Sequence, residues 1–265
     1  ILGLSLSAMK GKEIGDTLYN AIKDFSTIID KVLHVAIVPL LPLYICGTFV
    51  DMTHSGKTFV ILGILWKVFL VIIAMHLLYL VFAFVVAGGI SHKNPVTLLK
   101  NQIPGYTTAL GTQSSAATIP VNKEACDSIG VPKDVSDLVL PMGCTMHMDG
   151  SVLSSIVKIA FLYGVFGKDF VGAETYAMAI VVAILSAFVL SGAPGGGLVG
   201  EMLIVSMFNF PAEAFPIIAT LGFLFDPAAT CLNASGDTIA SMIVTRLVEG
   251  KDWLVKAVAA KKETA

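Results

Sequence analysis

The string Phe225-Asp226-Pro227-Ala228-Ala229-Thr230-Cys231-Leu232-Asn233-Ala234-Ser235-Gly236-Asp237 sets two carboxylates, an amide and two hydroxyls inside sequence apolar enough to span a bilayer. A second string, Gly143-Cys144-Thr145-Met146-His147-Met148-Asp149-Gly150, adds an imidazole and a third acid. An acid at the centre of a membrane helix costs about 2.5 to 3.5 kcal/mol on insertion scales, so it is retained where it pairs or lines a wet cavity. No Lys or Arg lies between Lys168 and Arg246, so Glu201, Asp226 and Asp237 find no basic partner within that stretch. The expected partner is a small cation or the amine of a ligand. Asp237 follows Asn233 by four positions, which on a helix turns both the same way. A carboxylate beside exposed carbonyls suits a hard cation.

The elements that must position these groups are membrane elements. Hydrophobic residues make up 55% of the 265-residue chain and charged residues only 14%, far from the soluble range and consistent with a mean hydropathy of +0.84. A net charge of -2 without a basic block gives no support to nucleic-acid binding. Cys46, Cys126, Cys144 and Cys231 are scattered and read as small apolar side chains rather than ligands. The opening Ile1 to Ala8 has no charged n-region and reads as the tail of a helix, so a fragment of a longer protein is expected.

Asp16 to Lys31 is amphipathic and leads into Val32 to Val50, interrupted at Pro39 and Pro42. Phe59 to Gly88 exceeds the roughly 20 apolar residues that a bilayer requires. Beyond Ile90 every apolar stretch is cut by Gly, Pro and small polar residues. The cuts fall at Gly111-Thr112-Gln113-Ser114-Ser115, at Gly143 to Gly150, at Ser191-Gly192-Ala193-Pro194-Gly195-Gly196-Gly197, and at Phe225 to Asp237. Backbone freed from a helix at membrane depth is tolerated only where protein or a wet cavity surrounds it, so four interruptions imply one shared cavity. The alternation of interrupted hairpin and broken helix is the trace of an internal repeat, the architecture of secondary transporters with midplane sites. Basic residues before the first span, around the first hairpin and at Lys251, Lys256, Lys261 and Lys262 fit a cytoplasmic C-terminus. Lys67 and Lys158 lie inside spans and are expected to snorkel or to line the wet interior. Glu201 is expected either at lipid headgroups or as a titrating group.

Four motifs, Gln113-Ser114-Ser115-Ala116-Ala117-Thr118-Ile119-Pro120, Met148-Asp149-Gly150, Pro194-Gly195-Gly196-Gly197 and Asn233-Ala234-Ser235-Gly236-Asp237, strongly resemble in order and spacing the dicarboxylate/amino acid:cation symporter family, which includes glutamate transporters. The resemblance implies an all-α membrane protein of re-entrant helical hairpins and discontinuous transmembrane helices, working as an elevator-type homotrimer in the cytoplasmic membrane. It divides the chain into the end of one scaffold helix and a full scaffold helix (1–52), a transmembrane helix of the transport domain (53–90), a first re-entrant hairpin (91–132), a broken helix (133–168), a second re-entrant hairpin (169–210), a final broken helix (211–250) and a cytoplasmic tail (251–265). Earlier scaffold helices would lie upstream of residue 1.

For the site, the resemblance implies sodium held by Asp237 with main-chain oxygens of Gly143, His147 and Asn233. A second cation site would use Asp149 and residue 147, with Thr145 in the same segment. The substrate's amino group would meet Asp226 and its carboxylate Asn233, with Ser115, the Gln113 and Ala193 carbonyls, Met148 and Thr230 completing the grip. Several positions depart from the family pattern. His147 replaces the usual Asn, offering nitrogen and a proton where a neutral oxygen is expected, so proton coupling at this site is the alternative to sodium. Ser155 stands where some members carry a protonatable side chain, and Ala116-Ala117 replaces Ser-Gly. Ala229 replaces the Arg that clamps a side-chain carboxylate in members carrying glutamate or aspartate, and the chain's only Arg, Arg246, lies about four to five helical turns away. A neutral amino acid substrate is therefore expected, its side chain bounded by Ser151 and Ala229.

Two other classes compete. An intramembrane aspartyl protease needs two aspartates sharing a proton, whereas Asp226 and Asp237 lie about three turns apart on one segment. A channel could not concentrate its substrate against a gradient. The chain thus reads as a transporter of an amino acid in contact with membrane lipid, and not as an enzyme.

Overall fold

The computed structural model describes residues 9, 13–32, 35, 38–54, 56–189 and 197–253, and it divides at Thr58/Phe59 into two compact units. The first unit holds α1 (Glu13–Val32), a short 3-10 turn (Val38–Leu40) around Pro39, and α2 (Leu41–His54). Along α1 the residues Leu18, Ile22 and Phe25 form an exposed apolar stripe at helical spacing.

The second unit opens with α3 (Lys57–Ser91), whose 35 residues extend about 52 Å, enough to cross the roughly 30 Å of hydrocarbon. Most of its circumference is apolar and exposed, including Trp66, Leu78 and Phe82. One narrow stripe, Ile72, His76, Phe84 and Ala87, is buried against protein. Position on that stripe decides which α3 side chains meet the site.

Two short helices, α4 (Pro95–Asn101) and α5 (Ile103–Thr112), lead to Gln113. Gln113 has a φ of 51°, a left-handed backbone that ends α5, and Ser114 then caps α6 (Ser115–Ile129) by accepting from Ala117 N at 3.2 Å. The two helices pack against each other across this two-residue turn, and 10 and 15 residues reach only about 15 and 22 Å, short of a bilayer.

After Gly130 come α7 (Lys133–Met146) and α8 (Asp149–Val165), separated by His147 and Met148 in non-helical backbone. Helices α9 (Ala173–Val189) and α10 (Gly197–Met207) pack together and carry the second interrupted segment. Ala193 and Leu190 lie outside the described residues.

The last helix, α11 (Ala214–Glu249), corrects an expectation, because its 36 residues run unbroken through the polar string. Pro227 removes one amide donor, and the helix continues through it, packed among neighbouring helices. Ser235 Oγ donates to the Cys231 carbonyl at 2.5 Å, Ser241 to Asp237 O at 2.9 Å and Thr245 to Ser241 O at 2.7 Å. Neighbours α5, α6, α7, α8 and α10 all pack on α11, which makes it the central rod of this unit. An apolar cluster of Phe84, Leu98, Ile129, Leu140, Ile239 and Met242 ties that rod to α3, α4, α6 and α7.

Candidate functional site

The gap between α7 and α8 is where freed backbone meets charge. His147 N still donates to Gly143 O at 2.8 Å, closing α7, and the first amides of α8 need new acceptors. Asn233 of α11 supplies one: its Oδ1 accepts from Gly150 N at 2.9 Å and Ser151 N at 3.4 Å, while its Nδ2 donates to Ser151 Oγ at 2.9 Å. The Asn233 amide is thus engaged with the start of α8. Asparagine, with one acceptor and two donor hydrogens, matches this task where aspartate would not.

His147 lies between two acids. Its Nε2 is 3.3 Å from Asp149 Oδ1 and its Nδ1 is 3.5 Å from Asp237 Oδ1. The second separation is too long for a good hydrogen bond, so Asp237 Oδ1, with its side chain only 2% exposed, is buried without a hydrogen bond among the described residues. Close packing brings these groups together. A Cβ at Gly143 would overlap the Asp237 carboxylate, and a Cβ at Gly236 would overlap the His147 ring. An under-coordinated buried carboxylate oxygen at a helix gap suits a small hard cation. The expected companions Gly143, His147, Asp149, Asn233 and Asp237 meet here. Thr145 does not join them: it is exposed and its hydroxyl donates to Met142 O at 3.0 Å.

Two α3 residues, His76 on the buried stripe and the half-buried Tyr79, hold this gap from the other side. Tyr79 OH donates to Asp149 Oδ2 at 2.5 Å, and His76 Nε2 lies 3.2 Å from Gly150 O and 3.1 Å from Ser154 Oγ. Neither was expected to act in the site. The available signal was their i, i+3 spacing as polar breaks in an otherwise apolar span.

A second cluster lines a cavity of about 450 Å³, counted out to its mouth, between α8, α10 and α11. Ser151, Ser154 and Lys158 of α8, Glu201 of α10, and Asp226 and Ala229 of α11 face it. Thr230 Oγ1 stands 3.5 Å from Asp226 Oδ1. Met148 is buried at the foot of α8, and Gln113 and Ser115 stay at the α5–α6 turn, outside the cavity lining. The α5–α6 pair is nonetheless tied to α11, because Asn122 Nδ2 donates to Ala234 O at 2.8 Å.

The cavity corrects the expectation that the acids lack basic company. Lys158 Nζ is 3.0 Å from Glu201 Oε1, and both residues are buried, so Lys158 does not snorkel and Glu201 does not face headgroups. Their partnership joins α8 to α10 across 43 positions, beyond the stretch in which a partner was sought. Removing one member of such a pair costs about 3–5 kcal/mol by stranding the other charge. Asp226 makes no ion pair among the described residues. Arg246 is equally unavailable, since its guanidinium donates to Ile90 O at 3.1 Å at the end of α3. Along unbroken α11, Asp226 and Asp237 are about 16 Å apart, too far to share a proton.

A sequence model of the sodium:dicarboxylate symporter family matches residues 1–247. The chain belongs to that family. Similar proteins include excitatory amino acid transporter 2 of Mus musculus, 29% identical over 185 residues that cover 66% of this chain and 32% of that protein. Neutral amino acid transporter B(0) of Homo sapiens is 28% identical over 214 residues, covering 77% of this chain and 38% of the relative. The chain therefore spans less than half the length of these relatives. As a member of the sodium:dicarboxylate symporter family it stands among transporters rather than enzymes, and among the described residues three helices are long and apolar enough to cross a membrane.

Proposed function

We propose that the full-length protein is a secondary active transporter that couples sodium entry to uptake of a neutral amino acid. One observation carries the substrate class. Among the described residues, the cavity that brings together Ser151, Asp226 and Ala229 has no free cation for a side-chain carboxylate, because Ala229 takes the clamp position, Arg246 is engaged at Ile90, and Lys158 is matched by Glu201. Asp226, without an ionic partner, receives the substrate ammonium. The α5–α6 turn, with the Ser115 amide at a helix start, receives the α-carboxylate together with the Gln113 and Ala193 carbonyls on the amine side. Sodium binds at Asp237, whose orphaned oxygen supports that role.

In this reading the α5–α6 and α9–α10 pairs are re-entrant hairpins, residues 59 onward form the moving domain of a homotrimeric elevator, and the C-terminus is cytoplasmic. A second reading, proton-coupled symport, is favoured by the His147 ring lodged between Asp149 and Asp237. Uptake driven by a pH gradient without sodium, and lost in His147→Asn, distinguishes it.

Thermal unfolding of the full-length protein tests the main reading. Sodium and serine, threonine or alanine together, each at about 100 times its dissociation constant, are expected to add at least ~2.7 kcal/mol, a midpoint shift of several degrees. Stabilisation by glutamate or aspartate equal to that by serine contradicts the neutral substrate, and stabilisation by amino acid without sodium contradicts the coupling.

A further inference from the structure

Lys158 and Glu201 line the same cavity as Asp226 and Ala229, and the neutral-substrate reading uses them only as a pair whose charges cancel. Ser151, Ser154 and Lys158 follow one another at i, i+3 and i+7, so α8 presents a single polar face to the cavity. A helical side chain leans toward the N-terminus of its helix, which carries the Lys158 ammonium back over the Ser154 turn and toward Asp226 and Ala229. Among the described residues, Lys158 is the only basic one in the cavity lining. Left alone, it would be a carboxylate receptor.

It is not left alone. Glu201 approaches from α10 and takes the ammonium at 3.0 Å, with only 2% of the glutamate exposed. The helix opposite is shaped for this: a Cβ at Gly222 would overlap the Glu201 carboxylate, so α11 yields room at that level. Counting formal charges, Lys158 cancels Glu201 and Asp226 leaves one negative charge, which a single substrate ammonium balances. A side-chain carboxylate would add an anion with no cation to receive it.

We infer that Glu201 is an internal stand-in for a substrate side-chain carboxylate: by holding Lys158 it closes the cavity to acidic amino acids and makes this pair a determinant of specificity. This rests on the neutral amino acid reading above. The same pair predicts that a latent clamp can be unmasked. Glu201→Gln keeps the shape and one acceptor oxygen for Lys158 while removing the competing charge.

The test uses full-length protein in proteoliposomes, with labelled serine uptake competed by unlabelled serine or aspartate. In the wild type, aspartate is expected to compete at least about tenfold more weakly than serine. In Glu201→Gln the aspartate-to-serine affinity ratio should rise by about tenfold or more, and in Glu201→Gln/Lys158→Met the rise should vanish. A ratio unchanged within about twofold in Glu201→Gln, or a rise that persists without Lys158, overturns the inference while leaving neutral transport standing. Wild-type protein that takes aspartate as readily as serine overturns the neutral-substrate reading and the inference with it, before any variant is made. If Glu201→Gln does not fold, Glu201→Asp withdraws the oxygen from Lys158 by one methylene, and a rise of about threefold is expected, with no rise counting against the inference.

Discussion

At the scale of single residues, three acids sit in apolar surroundings and each is answered differently. Asp149 receives Tyr79, Asp237 keeps an oxygen without a hydrogen bond, and Asp226 faces the cavity. His147 reaches toward the first two and occupies space that a cation would otherwise bridge. His147→Asn, which restores a neutral oxygen, is therefore expected to lower the sodium concentration for half-maximal uptake by about tenfold. An unchanged sodium dependence would show that the ring does not compete with the ion. Gly143→Ala places a methyl group against the Asp237 carboxylate and should remove sodium-dependent thermal stabilisation. Stabilisation by sodium equal to that of the wild type would contradict a site at Asp237.

The acids were legible in the sequence because the cost of charge in hydrocarbon makes each one conspicuous. Their partners were not. Glu201 finds Lys158 from another helix, and Tyr79 finds Asp149 across 70 positions, so both pairings depend on how helices are registered in space. Asn233 illustrates a subtler limit. Its position marked it as a site residue, but only the packed structure reveals that its amide serves the first turn of α8.

At the scale of elements, the gap at His147 and Met148 is held by side chains from α3 and α11 rather than by a local cap. Asn233→Ala leaves the buried Gly150 amide without an acceptor, which should cost about 1–3 kcal/mol and lower the midpoint of thermal unfolding by several degrees. A midpoint within about one degree of the wild type would show that α8 is capped by something else. Helix interruptions at Gln113 and at His147 could be read from clustered Gly, Ser and Thr, since these residues favour turns and caps. The same reasoning failed for Phe225 to Asp237. There a proline, a glycine and two hydroxyl-bearing residues remain helical within a string that surrounding helices bury, with the Ser235 hydroxyl bonded to the carbonyl one turn earlier.

At the scale of the whole molecule, the described chain consists of two compact units, and the cavity and the helix gap both belong to the larger one. The cavity and the Asp237 cluster lie along one helix, α11, which passes through both. In the proposed reading, in which Asp226 receives an amine and Asp237 a cation, this shared rod gives a physical route for coupling, since an ion that fixes α11 at Asp237 would also fix Asp226. Asp237→Asn is accordingly expected to weaken serine binding in saturating sodium by about tenfold or more, measured by isothermal titration, although residue 237 lies about 16 Å along the helix from Asp226.

The central claim, a neutral amino acid moved by a sodium gradient, is tested most directly by uptake into proteoliposomes of the full-length protein. Inward sodium should concentrate serine inside well above its outside level, and equal aspartate should neither accumulate nor block serine. Serine that only equilibrates across the membrane, or aspartate that accumulates as serine does, would contradict the account.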